Sequence, residues 1–461
     1  MDQERIFDLT GSVVVLSAPN ILLVIFQASL ILVEVFYLAI IGDQFLVMLA
    51  LITPVYMLML MLGSGAISTA SSSLVARYLG AEQYSQAKIC AAQGVLLAIA
   101  LGLAFFASVL ILSPVLVLFL NDGLVALLPV GTYQYIAVLF LSAPAIFAYN
   151  ALSGVMRGAG EMVFPAVVSA VTALLTVAIM PLVMFGFGPV EGIGFIGAAA
   201  TLTSFTYLGL LVMAMRVYAD GRPFMPALGW LWRKDVIAEL LAVAVPTAVL
   251  SLLNLAAFVA ITIVMANLGQ AGAAAYGAIG RVEFTIMVVS FAVGVATIRE
   301  VGVRFGAGDL ANAKRAAWVS ASFVALLLSV PVAILWFAPG LWLTLFLDDA
   351  EAIGIGSTYL SFAAPGYVAF GFGLAWLFVA QATGALKAAF LASVVRVVVI
   401  VALAFALSWA GFSPAVAAGL ATALGSLFYA ISMPIVQQRI FGAPIGDRLH
   451  AAAQDSIRVR S

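Results

Sequence analysis

The sequence predicts an all-α integral membrane protein, its twelve transmembrane helices forming two pseudo-symmetric six-helix lobes around a central cavity. Three observations carry that expectation: the composition, a series of long apolar stretches with asymmetric flanking charge, and an internal repeat. The 461 residues are 65% hydrophobic and only 8% charged, whereas a soluble domain runs near a quarter charged. Such a chain has too few polar side chains to cover a water-facing surface. Its 19 Lys+Arg balance 20 Asp+Glu, which leaves no basic field to hold nucleic acid. The single cysteine, Cys90, excludes an intrachain disulfide and a cysteine-based metal site. The one histidine, His450, lies in the polar C-terminal tail. No metal and no cofactor are therefore expected. An enzyme is disfavoured too, since no His, Cys or Ser–His constellation lies in the hydrocarbon.

A helix needs about 20 apolar residues to cross a bilayer. Spans are expected at 12–41, 46–77, 87–119, 128–157, 163–187, 193–217, 236–268, 272–302, 312–345, 353–383, 388–410 and 414–440. Several exceed the minimum, so tilted or bent helices are expected. The first is too long for a signal-peptide core of roughly 7–15 residues. Charge supports the count independently. With the N-terminus in the cytoplasm, every Lys and Arg except Arg281 and Arg396 falls in a cytoplasmic loop or terminus or at the cytoplasmic end of a span, among them Arg77, Arg157, Arg304 and Lys387. The outward loops hold Asp43, Asp122, Glu191, Asp348, Asp349 and Glu351 and no base. That is the positive-inside pattern. It implies a bacterial-type inner membrane and cytoplasmic termini.

The repeat appears in paired landmarks. Pro19 and Gly42 bracket span one, and Pro246 and Gly269 bracket span seven, 227 residues later. Gly80-Ala81 to Ala87-Lys88 recur as Gly306-Ala307 to Ala313-Lys314, at an offset of 226. The expected organisation is an N-terminal lobe at 1–217, a cytoplasmic linker at 218–235, a C-terminal lobe at 236–440 and a cytoplasmic tail at 441–461. Six spans per half keep both halves in one orientation, the plan of an alternating-access transporter.

The segments GAISTASSSLVARYLGAEQYSQAK, REVGVRFGAGDLANAKRA, MRGAGEMVFPA and GRVEF resemble those of multidrug and toxic compound extrusion (MATE) transporters. The similarity runs from Pro19 to about Gln438. It implies a monomeric, cation-coupled exporter of lipophilic, often cationic, drugs in the lipid bilayer.

Function should lie where polarity enters the hydrocarbon, since an ionisable residue there costs about 2.5–3.5 kcal/mol on insertion scales. Asn20, Gln27 and Glu34 recur every seven residues along span one, which places them on one helical face. Tyr37, three residues on, joins that face, and Pro19 is a candidate bend. The face is expected to line a cavity, with Glu34 as the proton-coupling group. The plainer alternative is a structural carboxylate hydrogen-bonded within its lobe. Shifted by 227, the stripe becomes Thr247, Asn254 and Ile261, so only the N-terminal half keeps an acid. The resemblance agrees, because the family's N-lobe acid also lies fifteen residues after the span-one proline.

Where many family members carry Asn and then Asp before the span-five proline, this chain has Thr176 and then Met180 before Pro181. A lobe with one carboxylate makes a poor cage for sodium, which wants about six oxygen ligands, but an adequate proton site. NorM-type members carry acids in spans seven and ten, which 246–268 and 353–383 lack. The resemblance therefore points to a DinF-like branch coupled to protons, with sodium left open. Glu283 in span eight is a second intramembrane acid. With Arg281 and Arg396 it is expected to form a buried ionic cluster holding spans eight and eleven together, the alternative being a second coupling site. Asn150 on span four is a candidate substrate contact. The segment GVMRGAG at 154–160 has no preceding strand and is given no nucleotide role. The leading expectation is a proton-coupled drug exporter. The alternatives are a sodium-coupled antiporter and a flippase for lipid-linked precursors, which would want basic residues in the cavity.

Overall fold

A computed structural model describes residues 11, 17, 33–118, 129–219 and 233–442. Among them are eleven helices long and apolar enough to cross a membrane. Span one adds a helix at 33–41; Pro19, Asn20 and Gln27, singled out above, lie outside the described residues, as do most of the linker and the tail with His450. Among the described residues the single departure from helices and their connections is an antiparallel pair, Gly186–Phe187 with Val190–Glu191, between spans five and six.

Spans nine and ten begin where local chemistry supplies a cap. The Asp309 carboxylate accepts the Asn312 backbone N–H at 3.1 Å. Asp349 accepts those of Glu351 and Ala352, each at 3.2 Å. Each satisfies N–H groups that a helix start otherwise leaves open.

Three spans differ from expectation. Span nine, expected to reach residue 345, ends at Phe337, and a short helix, Gly340–Leu343, follows. Pro339 disfavours helical backbone at the residue before it. Span four is split into Thr132–Phe140 and Ala143–Gly158. Pro144 has no N–H for the Phe140 carbonyl, and the ladder resumes with the Ile146 N–H on Ser142 O at 2.8 Å. Span two runs from Asp43 to Gly80 with a π-helical turn at Leu62–Ile67, where Gly63 and Gly65 weaken the regular helix.

The repeat extends to the backbone. After span two, the N–H groups of Glu82 and Gln83 reach the carbonyls of Leu79 and Tyr78 at 3.1 and 2.8 Å. After span eight, those of Gly308 and Asp309 reach Phe305 and Arg304 at 3.1 and 2.9 Å. Both turns need a left-handed residue at the same repeat position, Glu82 at φ 58° and Gly308 at φ 76°. Glycine takes that conformation without strain and glutamate does not.

The chain divides into two compact units, with a boundary between Ala244 and Val245, inside span seven (Lys234–Ala266) and just before Pro246, rather than in the 218–235 linker. The first turns of span seven belong to the N-terminal unit because of what they touch. The Tyr78 hydroxyl donates to Glu239 at 2.6 Å, and the Arg233 N–H donates to the Gln93 side chain at 3.3 Å. Within this unit spans two and four cross closely. A Cβ on Gly154 would meet Ser68 O at 2.3 Å, and one on Gly158 would meet Ser72 O at 2.5 Å. That is a small-residue seam of the kind that lets membrane helices touch backbone to backbone, and it accounts for GVMRGAG.

Candidate functional site

Glu34 is buried, 4% exposed, on the short described part of span one. Its carboxylate accepts a hydrogen bond from the Tyr135 hydroxyl. Tyr135 sits on the first half of span four, fully buried, its ring stacked on Phe195 at 5.9 Å between centroids. The break before Pro144 separates the half that carries Tyr135 from the half that carries Asn150.

Glu34 also forms part of the wall of a cavity of about 120 Å³ within the N-terminal unit. Tyr56, Ser64, Asn150, Thr176 and Thr206 contribute other polar groups to it. The Asn150 amide nitrogen is tied to Ile146 O at 2.9 Å, so its orientation is set by its own helix. Ser64, Thr176 and Thr206 donate their hydroxyl hydrogens to helix carbonyls one turn back, at 2.8 Å each. That leaves their oxygens as acceptors. Among the described lining residues no Lys or Arg is present. A wall of acceptors with one carboxyl suits a positively charged or hydrogen-bond-donating guest.

Two sequence-predicted residues, Glu34 and Asn150, thus meet at one cavity. Tyr37 does not join them: its ring packs edge-on against Phe185 at 6.4 Å. Tyr56 and Tyr135 were missed from sequence. A tyrosine in an apolar span carries no mark of whether its hydroxyl will meet an acid.

The C-terminal unit corrects the expected ionic cluster. Among the described residues no ion pair joins Glu283 to Arg281 or Arg396. Three tyrosines hold the carboxylate instead: Tyr359 and Tyr367 each donate to Oε1 at 2.9 Å, and Tyr276 donates to Oε2 at 3.2 Å. Two residues along a helix turn Arg281 to the far side, where its guanidinium lies over Phe346, 4.6 Å from the ring centroid. Arg396, 8% exposed, donates to Asn254 Oδ1 and lies over Phe370 and Tyr429 at 4.7 and 5.2 Å. Both polar members of the span-seven stripe are engaged, since Thr247 accepts from Gln381 at 3.2 Å. Among the described residues no group of three or more His, Cys, Asp or Glu lies together to hold a metal.

The MatE family profile matches residues 19–182 and 246–406, stretches that open at the repeat prolines Pro19 and Pro246. An FAD transporter of Shewanella oneidensis is 25% identical over 357 residues, covering 75% of this chain and 76% of that protein. The multidrug export protein MepA of Staphylococcus aureus is 21% identical over 81% of this chain and 82% of its own. Among solved structures, the Vibrio cholerae MATE transporter VcmN superposes with a TM-score of 0.86 at 18% identity, covering 95% of this chain and 98% of that one. A MOP superfamily transporter from Pyrococcus furiosus gives 0.84 at 20% identity, covering 94% and 96%. Those likenesses establish a shared fold.

Proposed function

The chain belongs to the MatE family of multidrug and toxic compound extrusion transporters, and from that premise we propose that it exports lipophilic cations in exchange for protons through Glu34. It is a multi-pass membrane transporter, not an enzyme. In the proposed cycle Glu34 is charged while water or a cationic drug lies beside it. A proton arriving from outside neutralises it, and the drug loses its counter-charge and leaves. Each proton moving inward supplies about 2.3 kcal/mol per 100 mV of potential, plus about 1.4 kcal/mol per pH unit. The bacterial inner membrane, with both termini in the cytoplasm, gives that flow its direction.

The observation that carries this reading is one buried carboxyl, held by the Tyr135 hydroxyl, on a cavity wall whose other polar groups are neutral. A single carboxylate supports a proton site over a sodium cage. The absence of a base from the described wall weighs against a pyrophosphate-bearing lipid precursor. The likeness to an FAD transporter makes FAD the first alternative substrate to assay.

The test is ethidium efflux from vesicles carrying each variant, across an imposed pH gradient with and without sodium. Glu34→Gln, fixed in the neutral form, should abolish uphill efflux. Glu34→Asp should retain part of it because it still titrates. Full pH-driven efflux by Glu34→Gln overturns the mechanism. Wild-type efflux that needs sodium at zero pH gradient overturns the proton assignment.

A further inference from the structure

We propose that Arg396 and Asn254 form an anion-binding site in the C-terminal lobe that takes a carboxylate or phosphate group of the exported compound. The inference rests on the exporter reading above but not on Glu34 or on protons. Its first support is the charge itself. Arg396 lies ten residues after Leu386 in span eleven, Leu386–Trp409, roughly 15 Å into the membrane at 1.5 Å per residue. A guanidinium keeps its charge there, and such a group is ordinarily paired with an acid or marks a functional site. Its one hydrogen bond among the described residues runs from Nη2 to Asn254 Oδ1, and no described carboxylate touches it. Glu283, the acid inside the same lobe, is taken by Tyr276, Tyr359 and Tyr367.

The second support is the set of unused donors. A guanidinium has five N–H groups, and that bond uses one. It also fixes the Asn254 amide, whose Oδ1 is occupied and whose Nδ2 offers two more N–H groups. Trp376 Nε1 is a buried atom of this lobe without a partner among the described residues, but no nitrogen of Arg396 or Asn254 is. Arg396 is 8% exposed and Asn254 half-buried. The unused N–H groups therefore lie in the exposed part of each side chain.

The third support is rigidity. The Phe370 and Tyr429 rings stand 6.3 Å apart and 24° from parallel, with the guanidinium carbon 4.7 and 5.2 Å from their centroids. Tyr429 is held in turn, its hydroxyl 3.1 Å from Ser393 Oγ. Its ring fills the space that a Cβ on Gly373 would need, 2.4 Å away. A planar fork clamped in this way is preorganised for two oxygens of a carboxylate or phosphate. The described wall of the N-terminal cavity presents acceptors and one carboxyl, whereas Arg396 and Asn254 present donors. One guanidinium balances one oxyanion charge, so the site extends the substrates from cations to zwitterions with a single acidic group.

The experiment measures binding by fluorescence anisotropy to the purified protein in nanodiscs of net-neutral phospholipid. The probes are a rhodamine free acid and its methyl ester, which differ by one carboxylate. The unaltered protein should bind the free acid. The ratio of acid to ester affinity should fall about tenfold or more in Arg396→Gln, as expected for loss of a charge-assisted hydrogen bond. Asn254→Asp should lower the ratio as well, because its carboxylate occupies the guanidinium while leaving it between its rings. Arg281→Gln should keep the ratio, and an equal fall there overturns the site. A ratio unmoved by Asn254→Asp overturns it too, as does failure of the unaltered protein to bind the acid. If Arg396→Gln fails to fold, Asn254→Asp decides alone. An anionic phospholipid that co-purifies with the protein and is lost in Arg396→Gln would assign the donors to a headgroup and overturn the substrate. Failure of the exporter reading alone would show as no efflux of either dye from vesicles with the binding ratio intact.

Discussion

Gly154→Ala tests what holds the N-terminal lobe together. Its added Cβ would lie 2.3 Å from Ser68 O and 3.0 Å from the Ser68 carbonyl carbon and Cα, where ordinary contact begins near 3.4 Å. Those atoms are backbone, so no side-chain rotation relieves the overlap, and spans two and four must part by about 1 Å in a close-packed interior. Overpacking of this kind costs about 1–3 kcal/mol. Alanine returns up to about 1 kcal/mol through its better helix propensity. With the full return the net loss is about 0–2 kcal/mol, and at about 2–4 °C per kcal/mol for a unit of this size the melting temperature should fall by up to about 8 °C, and by more relative to a Gly277→Ala control. Cys90, the chain's one cysteine and fully buried, makes a fluorogenic thiol dye a direct reporter of unfolding. Gly277→Ala is the control, because its Cβ would enter open space and only the propensity gain remains. If Gly154→Ala melts at or above the Gly277→Ala protein, the seam does not hold the lobe together.

Tyr135→Phe keeps the ring against Phe195 and deletes the hydroxyl on Glu34. A hydrogen bond to a charged group is worth about 1.5–3 kcal/mol against about 0.5–1.5 for a neutral pair, so charged and neutral Glu34 are affected unequally. Initial pH-driven efflux should fall about tenfold at unchanged expression; wild-type kinetics at every pH would remove Tyr135 from the coupling. Asp348→Cys, one residue before the Asp349 cap, should react with a membrane-impermeant maleimide added outside intact cells. Failure to label while Cys90 stays silent would reverse the proposed topology.

Composition and periodicity were enough to read the membrane class and the helices from spans two to twelve, because a bilayer forces long apolar helices whatever their neighbours. The repeat was legible as well in its paired prolines and glycines, although the left-handed turn position they frame carries Glu82 in one half and Gly308 in the other. Glu34 stood out because a carboxylate among apolar residues is costly. What surrounds an acid is another matter. Tyr135 lies 101 positions from Glu34, and Tyr359 and Tyr367 lie 76 and 84 from Glu283, on helices whose rotation is set by packing. Sequence arithmetic paired Glu283 with arginines because opposite charges attract. The fold turned Arg281 away, gave Arg396 to Asn254 and closed three hydroxyls around the carboxylate. Which side chains exist, and at what depth, is a property of the chain. Which of them touch is decided by backbone contacts such as Gly154 on Ser68, where the absence of a side chain sets the distance between two helices.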